Sequence, residues 1–190
     1  MELTPAFPVI GYDARDTREV GPVNYGCGFL LKDVTKPLSV DDAIWWSVFD
    51  REGLEVPEWR GPRQNNWENL AAMQACAVEN HLEGFRTIAI TQMPEEEEGA
   101  IGSDVSNPGE VQPGWEFLGY DVADYFLLSG LMNCGYTEEE MAVLCERFGD
   151  RLNQNHLFTS IQAAEEFMLL SDERVPEHAP FYVFGLYLIP

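Results

Sequence analysis

The residue best suited to covalent chemistry in this chain is a cysteine set between two glycines. Cys27 lies in segment 24–29, Asn-Tyr-Gly-Cys-Gly-Phe, where small neighbours would leave its sulfur exposed. A thiol hydrolase also needs a positioned histidine and a polar group that orients it. The same segment is typical of a tight turn that leads into a strand, so a thiol-dependent enzyme that uses Cys27 ranks third among our functional hypotheses.

The sequence lacks the usual spacing patterns of metal sites and of other catalytic sites. The histidines at 81, 156 and 178 are far apart, and no two of the four cysteines have the Cys-x-x-Cys spacing of a zinc site. There is no Gly-x-Ser-x-Gly elbow, phosphate-binding loop or Gly-x-Gly-x-x-Gly segment. We therefore predict no metal, no cofactor and no catalytic residue. Two neighbouring carboxylates would not indicate a glycosidase either, because the chain contains 33 acids.

The most distinctive property of the chain is its excess of acidic residues. It has 33 Asp and Glu against 11 Lys and Arg, a formal charge of −22 in 190 residues. Apolar residues make up 45% and aromatic residues 12%, which is too hydrophobic for a disordered acidic tail. Scattered basic residues disfavour direct binding to nucleic acid, and an anionic membrane would repel the protein. We expect a folded acidic protein whose partner has a basic surface.

Local physics explains some of the acids but not the run from Glu95 to Glu98. Residues 138–140 follow Thr137 in the first turn of a capped helix, where the helix dipole favours negative charge. The run at 95–98 is followed at once by Gly99, and its four carboxylates repel one another. This run predicts a contact surface for a basic partner, and exposed tryptophans would suit the centre of an interface. The predicted partner-binding residues are Glu95, Glu96, Glu97, Glu98, Asp104, Glu110, Trp46 and Trp59.

Apolar runs and helix caps together predict an α+β fold. Strands are expected at 7–12, 27–31, 85–90, 115–120 and 181–189, the first at a sheet edge because of Pro8 and the last at the centre. Helices are expected from Ser39 to about Arg51 and after Asn66, Thr137 and Thr159. We predict a single domain, residues 1–190. It would contain a mixed or antiparallel sheet of about four or five strands packed with about four or five helices, and a long acidic surface loop at about 93–114.

The chain shows no feature of an exported or membrane-spanning protein. Its first residues lack the basic region and apolar run of a secretory signal, and no apolar stretch is long enough to cross a membrane. We therefore predict a cytoplasmic location and reduced thiols. Cys145 is expected to be buried as a small hydrophobe on the apolar stripe of its helix.

One segment resembles a known group of proteins. Residues 114–124, Gly-Trp-Glu-Phe-Leu-Gly-Tyr-Asp-Val-Ala-Asp, and 128–136, Leu-Ser-Gly-Leu-Met-Asn-Cys-Gly-Tyr, are similar to a segment of small bacterial immunity proteins. Such proteins are encoded beside toxins that are secreted or delivered on contact. The resemblance implies a cytoplasmic protein that binds its cognate toxin and blocks the active site or substrate access.

Charge and resemblance together favour an immunity protein as the leading hypothesis. Opposite charge would steer the encounter with a basic toxin. The alternative is a mimic of nucleic acid that occupies a DNA- or RNA-binding protein. A mimic would need carboxylates at phosphate-like spacing on one face, whereas the acids of this chain are spread along the sequence.

Overall fold

Four antiparallel strands form one sheet in the computed structural model, which describes residues 7–16, 38–41, 47–54, 67–94, 109–132 and 136–190. The strands are β1 (Val9–Asp16), β2 (Phe85–Gln92), β3 (Glu116–Ala123) and β4 (Tyr182–Ile189). The helices are α1 (Val48–Arg51), α2 (Leu70–Glu79), α3 (Glu138–Phe148) and α4 (Ile161–Arg174), with 3-10 turns at Gly130–Met132 and Gly149–Arg151. The predicted α+β class is confirmed. In the described part, three helices are longer than one turn, fewer than predicted.

The order of the strands is β1-β2-β4-β3. The almost wholly apolar β4 is therefore central, as predicted, and β1 lies at an edge, as Pro8 indicated. The register pairs Phe184 on β4 with Gln92 on one side and with Asp121 on the other. These three side chains share one face of the sheet, since paired residues point the same way.

Each face of the sheet is covered by different parts of the chain. One face packs against α3 and α4 through a cluster that contains the rings of Phe148, Phe158 and Phe167. The two rings of Phe148 and Phe167 are 5.2 Å apart and nearly perpendicular. The other face packs against a short segment at 38–41 and against Leu127 and Leu157. A third cluster joins α1 and α2 to β1.

Both edges of the sheet are closed by short backbone pairings. On the β1 edge, Tyr12 pairs with Trp67 and Arg15 pairs with Ser47. On the β3 edge, Tyr120 pairs with Phe158, and this close approach requires Gly119. A Cβ atom at Gly119 would lie 2.6 Å from Cβ of Leu157, and its φ of +141° disfavours any other residue. The pairings leave little free edge for another strand to join.

The edge pairings also explain where the predicted helices were wrong. A continuous helix from Ser39 to Arg51 is excluded, because Ser47 is bridge-paired with Arg15 and, of the residues described in this range, those that are helical are Val48–Arg51. The helix expected after Asn66 begins instead after Asn69, whose side chain accepts a hydrogen bond from the Ala72 amide. Similarly, α4 is capped by the hydroxyl of Ser160 rather than Thr159. The strand expected at 27–31 lies outside the described residues.

Two further expectations can be compared with the structure. Cys145 is exposed rather than buried, because Leu144 and Phe148 form the inward stripe of α3 and Cys145 is about 100° round the helix from Leu144. Within the described ranges, no helix is both long and apolar enough to span a membrane.

The capping box predicted at Thr137 and Glu140 is present. The Thr137 hydroxyl accepts a hydrogen bond from the Glu140 amide, and the Glu140 carboxylate accepts one from the Thr137 amide. We expect Thr137→Ala to lower the free energy of unfolding by about 1 kcal/mol, since a helix amide loses its acceptor. Urea unfolding would measure the change. Thr159→Ala is the matched control, because Thr159 caps no α-helix and the hydrogen bond from its hydroxyl to the Arg151 carbonyl is exposed; an equal loss there would contradict the assignment.

Candidate functional site

A layer of polar side chains is buried between the sheet and the segment at 38–41. Its members come from β1, from β3 and from three short segments, and each is less than a tenth exposed. We refer to it as the buried polar cluster. Its members are Asp13, Arg15, Ser39, Asp41, Ser47, Asp121 and Ser129.

Asp121, in the middle of β3, is the centre of this cluster. Its Oδ2 accepts hydrogen bonds from the Ser39 hydroxyl and from the Val40 amide at 2.9 Å. Its Oδ1 accepts from the Val122 amide at 2.8 Å and from the Ser129 hydroxyl at 3.0 Å. Burial raises the pKa of Asp121, although these hydrogen bonds oppose the shift. The carboxylate thus fixes the segment at 38–41 onto the sheet.

The hydrogen bonds of the cluster close into a ring. The Ser39 hydroxyl accepts from the Asp41 amide at 3.0 Å, and Oδ2 of Asp41 accepts from the Ser129 amide at 3.1 Å. Ser129 then returns to Asp121 through its hydroxyl. Buried networks in which the groups are satisfied specify one arrangement, because any shift would leave a polar group unpaired.

A buried ion pair completes the cluster on β1. Nε of Arg15 lies 2.8 Å from Oδ2 of Asp13, and the two side chains are 1% and 0% exposed. Arg15 also donates from Nη2 to the carbonyl of Val40 at 3.1 Å, while the Ser47 hydroxyl donates to Asp13. The peptide groups of Val40 are therefore held from both sides, by Arg15 on β1 and by Asp121 on β3.

The cluster is equipped to hold the fold rather than to react. The carboxylate oxygens of Asp121 accept hydrogen bonds from amides and hydroxyls. A hard cation needs oxygen ligands that are free to coordinate it, and these oxygens are not. In the part of the chain that the structure describes, no three His, Cys, Asp or Glu residues converge as metal ligands. Desolvation raises the pKa of the thiols of Cys76 and Cys145, which keeps both protonated and weakly nucleophilic at neutral pH.

A histidine and an aspartate pair at the end of β3. Nδ1 of His178 lies 3.0 Å from Oδ2 of Asp124, with Asp124 1% exposed and His178 38% exposed. A base with an orienting carboxylate is half of a nucleophilic site. No hydroxyl or thiol of a described residue hydrogen-bonds to this histidine. Asp124 instead holds the loop that follows β3, because its Oδ1 accepts from the amides of Phe126 and Leu128.

The surface charges divide into a paired and an unpaired set. Arg147 and Arg151 both pair with Glu166, and Arg174 pairs with Glu140 at 2.8 Å. Arg147 and Arg151 lower the pKa of Glu166. The pKa of Glu140 is lowered chiefly by the hydrogen bond that its carboxylate accepts from the Thr137 amide. Eight exposed glutamates have no ion pair among the described residues. They are Glu68, Glu79, Glu110, Glu116, Glu139, Glu146, Glu173 and Glu177.

Two surface depressions accompany these charges. A groove of about 250 Å³ lies between α3 and α4, with Leu144 and Leu170 among its lining residues and the Arg174–Glu140 pair beside them. A more open depression of about 420 Å³ lies where α1 and α2 end, and Glu52 and Glu83 line it. The first depression therefore has balanced charges, whereas the second is acidic.

The sequence-predicted partner-binding residues lie mostly beyond what the structure describes. Glu110 is exposed, directly after Gly109, which pairs with Val9. The other predicted residues are outside the described ranges, as is Cys27. They are Glu95, Glu96, Glu97, Glu98, Asp104, Trp46 and Trp59.

Sequence reasoning missed the buried polar cluster and the Asp124–His178 pair. One signal was available in β3, where Asp121 and Asp124 interrupt the apolar sequence Tyr-Asp-Val-Ala-Asp. An aspartate in a buried strand requires hydrogen-bond partners, so its position indicates a polar network. Comparison of the chain with protein-family models, with curated proteins and with solved structures finds no match.

Proposed function

We propose that this chain is an immunity protein that acts in the cytoplasm and neutralises a cognate protein toxin with a basic surface. In this proposal it binds the toxin through its acidic surface, without turnover, and blocks the active site or substrate access. The observation that carries the proposal is the distribution of surface charge. Arg147, Arg151 and Arg174 are engaged in ion pairs with Glu166 and Glu140, whereas eight exposed glutamates have no ion pair among the described residues.

Uncompensated acids act mainly on the rate of encounter with a partner. Opposite charges raise association rate constants to about 10⁸–10⁹ M⁻¹s⁻¹ at low salt, from about 10⁵–10⁶ M⁻¹s⁻¹ without steering. This steering matters for an immunity protein, since its toxin must be captured before it acts.

The site chemistry supports binding rather than catalysis. The most deeply buried carboxylates of the described residues, such as Asp121 and Asp124, accept hydrogen bonds from groups within the fold. The thiol hypothesis concerns Cys27, which lies outside the described residues and stays a prediction. Unchanged biological activity of Cys27→Ala would end it.

The first experiment is capture with the intact protein from its native host at low salt, with identification of bound proteins by mass spectrometry. The proposal expects a toxin encoded next to this chain. Recovery of no toxin counts against it. A nucleic-acid mimic would instead recover a DNA- or RNA-binding protein, from which added DNA or RNA would displace it.

Replacing Glu95 to Glu98 with lysine is expected to slow association with the captured toxin about tenfold or more at low salt. The salt dependence of the rate should flatten, because fewer charges steer the encounter. Stopped-flow measurements at several salt concentrations would test this. The matched control reverses four exposed acids on or beside α3 and α4, which changes the net charge equally. Its residues are Glu139, Glu146, Asp150 and Glu173. Equal slowing in both variants would show that residues 95–98 are not a contact surface.

A further inference from the structure

The chain between β3 and the following 3-10 turn forms a tightly held loop, Asp124–Leu128. Oδ1 of Asp124 accepts from the Phe126 amide at 2.8 Å and from the Leu128 amide at 2.9 Å. The backbone closes the same loop, with Asp124 N donating to Leu128 O at 3.0 Å. Leu127 has a φ of +61° and a fully buried side chain in the apolar layer of the sheet. Three hydrogen bonds and the burial of Leu127 thus hold four of the five residues of the loop.

This rigid loop holds apolar side chains in water. Phe126 is 62% exposed and Leu128 is 43% exposed, on either side of the buried Leu127. The ring of Tyr125 lies edge-on to that of Phe126, with centroids 5.4 Å apart. The other large exposed hydrophobic side chains in the described ranges are Val78, Val143 and Leu169, none of them aromatic.

A fixed, exposed aromatic ring is suited to bind a protein surface. Aromatic side chains that enter a pocket on the partner are frequent among binding hot spots, and rigid presentation reduces the entropy lost on binding. A loop held only by its core contact would not need a buried carboxylate at its base. The Asp124 carboxylate sets the backbone conformation on both sides of the exposed ring of Phe126.

The charge around the loop decides which partner it fits. The exposed Glu177 directly precedes His178, whose ring bonds to the buried Asp124 at the base of the loop. A second copy of this chain would carry the same charge of −22 and be repelled. A partner with lysine or arginine around an apolar pocket would be attracted. Charge complementarity therefore favours a basic partner.

We infer that the Asp124–Leu128 loop is the apolar anchor of the interface, with Phe126 inserted into a pocket rimmed by basic residues on the partner. This inference rests on the proposed immunity function, since the partner is then the toxin. In this inference, two features of the protein contribute to different steps of binding. The distributed acids would set the rate of association, and the anchored ring would set the rate of dissociation.

The test uses the intact protein and the toxin that the wild type captures, purified and rebound. Phe126→Ala should weaken binding about 30-fold or more, mainly through faster dissociation. Leu169→Ala is the matched control, because Leu169 is 64% exposed on α4, and it should change affinity less than twofold. Both variants should keep the thermal midpoint of the wild type, since the side chains are exposed. A photo-crosslinking residue placed at 126 should label the toxin, whereas the same residue at 169 should not.

The outcomes separate the anchor from the function. If the wild type binds its toxin and Phe126→Ala binds equally well, the anchor is wrong and the immunity function stands. Crosslinking from position 126 to a second copy of the chain would also overturn the anchor. If the wild type captures no toxin, the proposed function and the anchor fall together.

Discussion

Replacing Asp121 with alanine is expected to lower the free energy of unfolding by about 3–5 kcal/mol. The substitution removes the acceptor for the Val40 amide and for the hydroxyls of Ser39 and Ser129, all of them buried. Each buried donor left without an acceptor costs about 1–3 kcal/mol, less where a hydroxyl can turn to another partner. Urea unfolding followed by far-UV circular dichroism would measure the loss.

A milder variant keeps this prediction testable if alanine prevents folding. Asp121→Asn keeps the shape and one oxygen, but its amide nitrogen cannot accept a hydrogen bond from a backbone N–H. Either orientation leaves one N–H, of Val40 or of Val122, without its acceptor, so we expect a loss of about 1–3 kcal/mol. Glu116→Gln is the control, because Glu116 is exposed on the same strand. Equal effects of the Asp121 and Glu116 substitutions would contradict the central role of Asp121.

The pH dependence provides a second measure of the same group. Burial raises the pKa of Asp121, so the folded protein holds this proton more tightly than the unfolded chain. The contribution of Asp121 to stability is then fully present below its pKa in the unfolded chain, about 4. It decreases as the pH rises toward the pKa of Asp121 in the folded protein. The stability difference between wild type and Asp121→Asn should shrink over this range. A difference that grows with pH would show that the hydrogen bonds outweigh burial.

Local patterns predicted the strands of this fold better than its connections. The apolar sequence of β4 indicated a central strand, and the capping box at Thr137 indicated the start of α3. Each of these signals is contained within a few neighbouring residues. Ser39 also has the residue type of a helix cap. Its hydroxyl instead bonds to Asp121, 82 residues away, and no local pattern contains that partner.

The same reason limits how much of the candidate site the sequence could reveal. Charge and loop composition directed attention to residues 95–98, which lie outside the described residues. The loop after β3 carries a different signal, since Asp124 precedes the sequence Tyr-Phe-Leu-Leu. Alternate exposure of Phe126, Leu127 and Leu128 follows from the positive φ of Leu127, which a sequence of four apolar residues does not specify.

Burial of acids also changes what the net charge means. Five aspartates in the described part of the chain are less than a tenth exposed, and the described hydrogen bonds show several of them holding backbone amides in place. These acids belong to the fold and contribute little to the surface that a partner meets. They are Asp13, Asp16, Asp41, Asp121 and Asp124. Among the described residues, the acids that can steer a partner are therefore the exposed ones, which are mostly glutamates.

Replacing Arg15 with methionine is expected to lower the free energy of unfolding by about 3–5 kcal/mol. The Asp13 carboxylate, 0% exposed, would lose the guanidinium that lies 2.8 Å away. The Val40 carbonyl would lose the donor Nη2. Methionine fills most of the volume of the arginine stem, so the loss measures charge and hydrogen bonding rather than a cavity. Denaturant unfolding would determine the value.

Two variants separate a buried charge from other effects of this substitution. Arg86→Met is the matched control, because Arg86 faces Arg15 in the register of β1 and β2 but is exposed, and we expect a change within about 0.5 kcal/mol. Adding Asp13→Asn to Arg15→Met should restore part of the lost stability, since no uncompensated charge then remains buried and the amide oxygen can still accept from Ser47. A double variant no more stable than Arg15→Met would show that Arg15 acts through Val40, on the same segment that Asp121 holds from β3, and not through its ion pair.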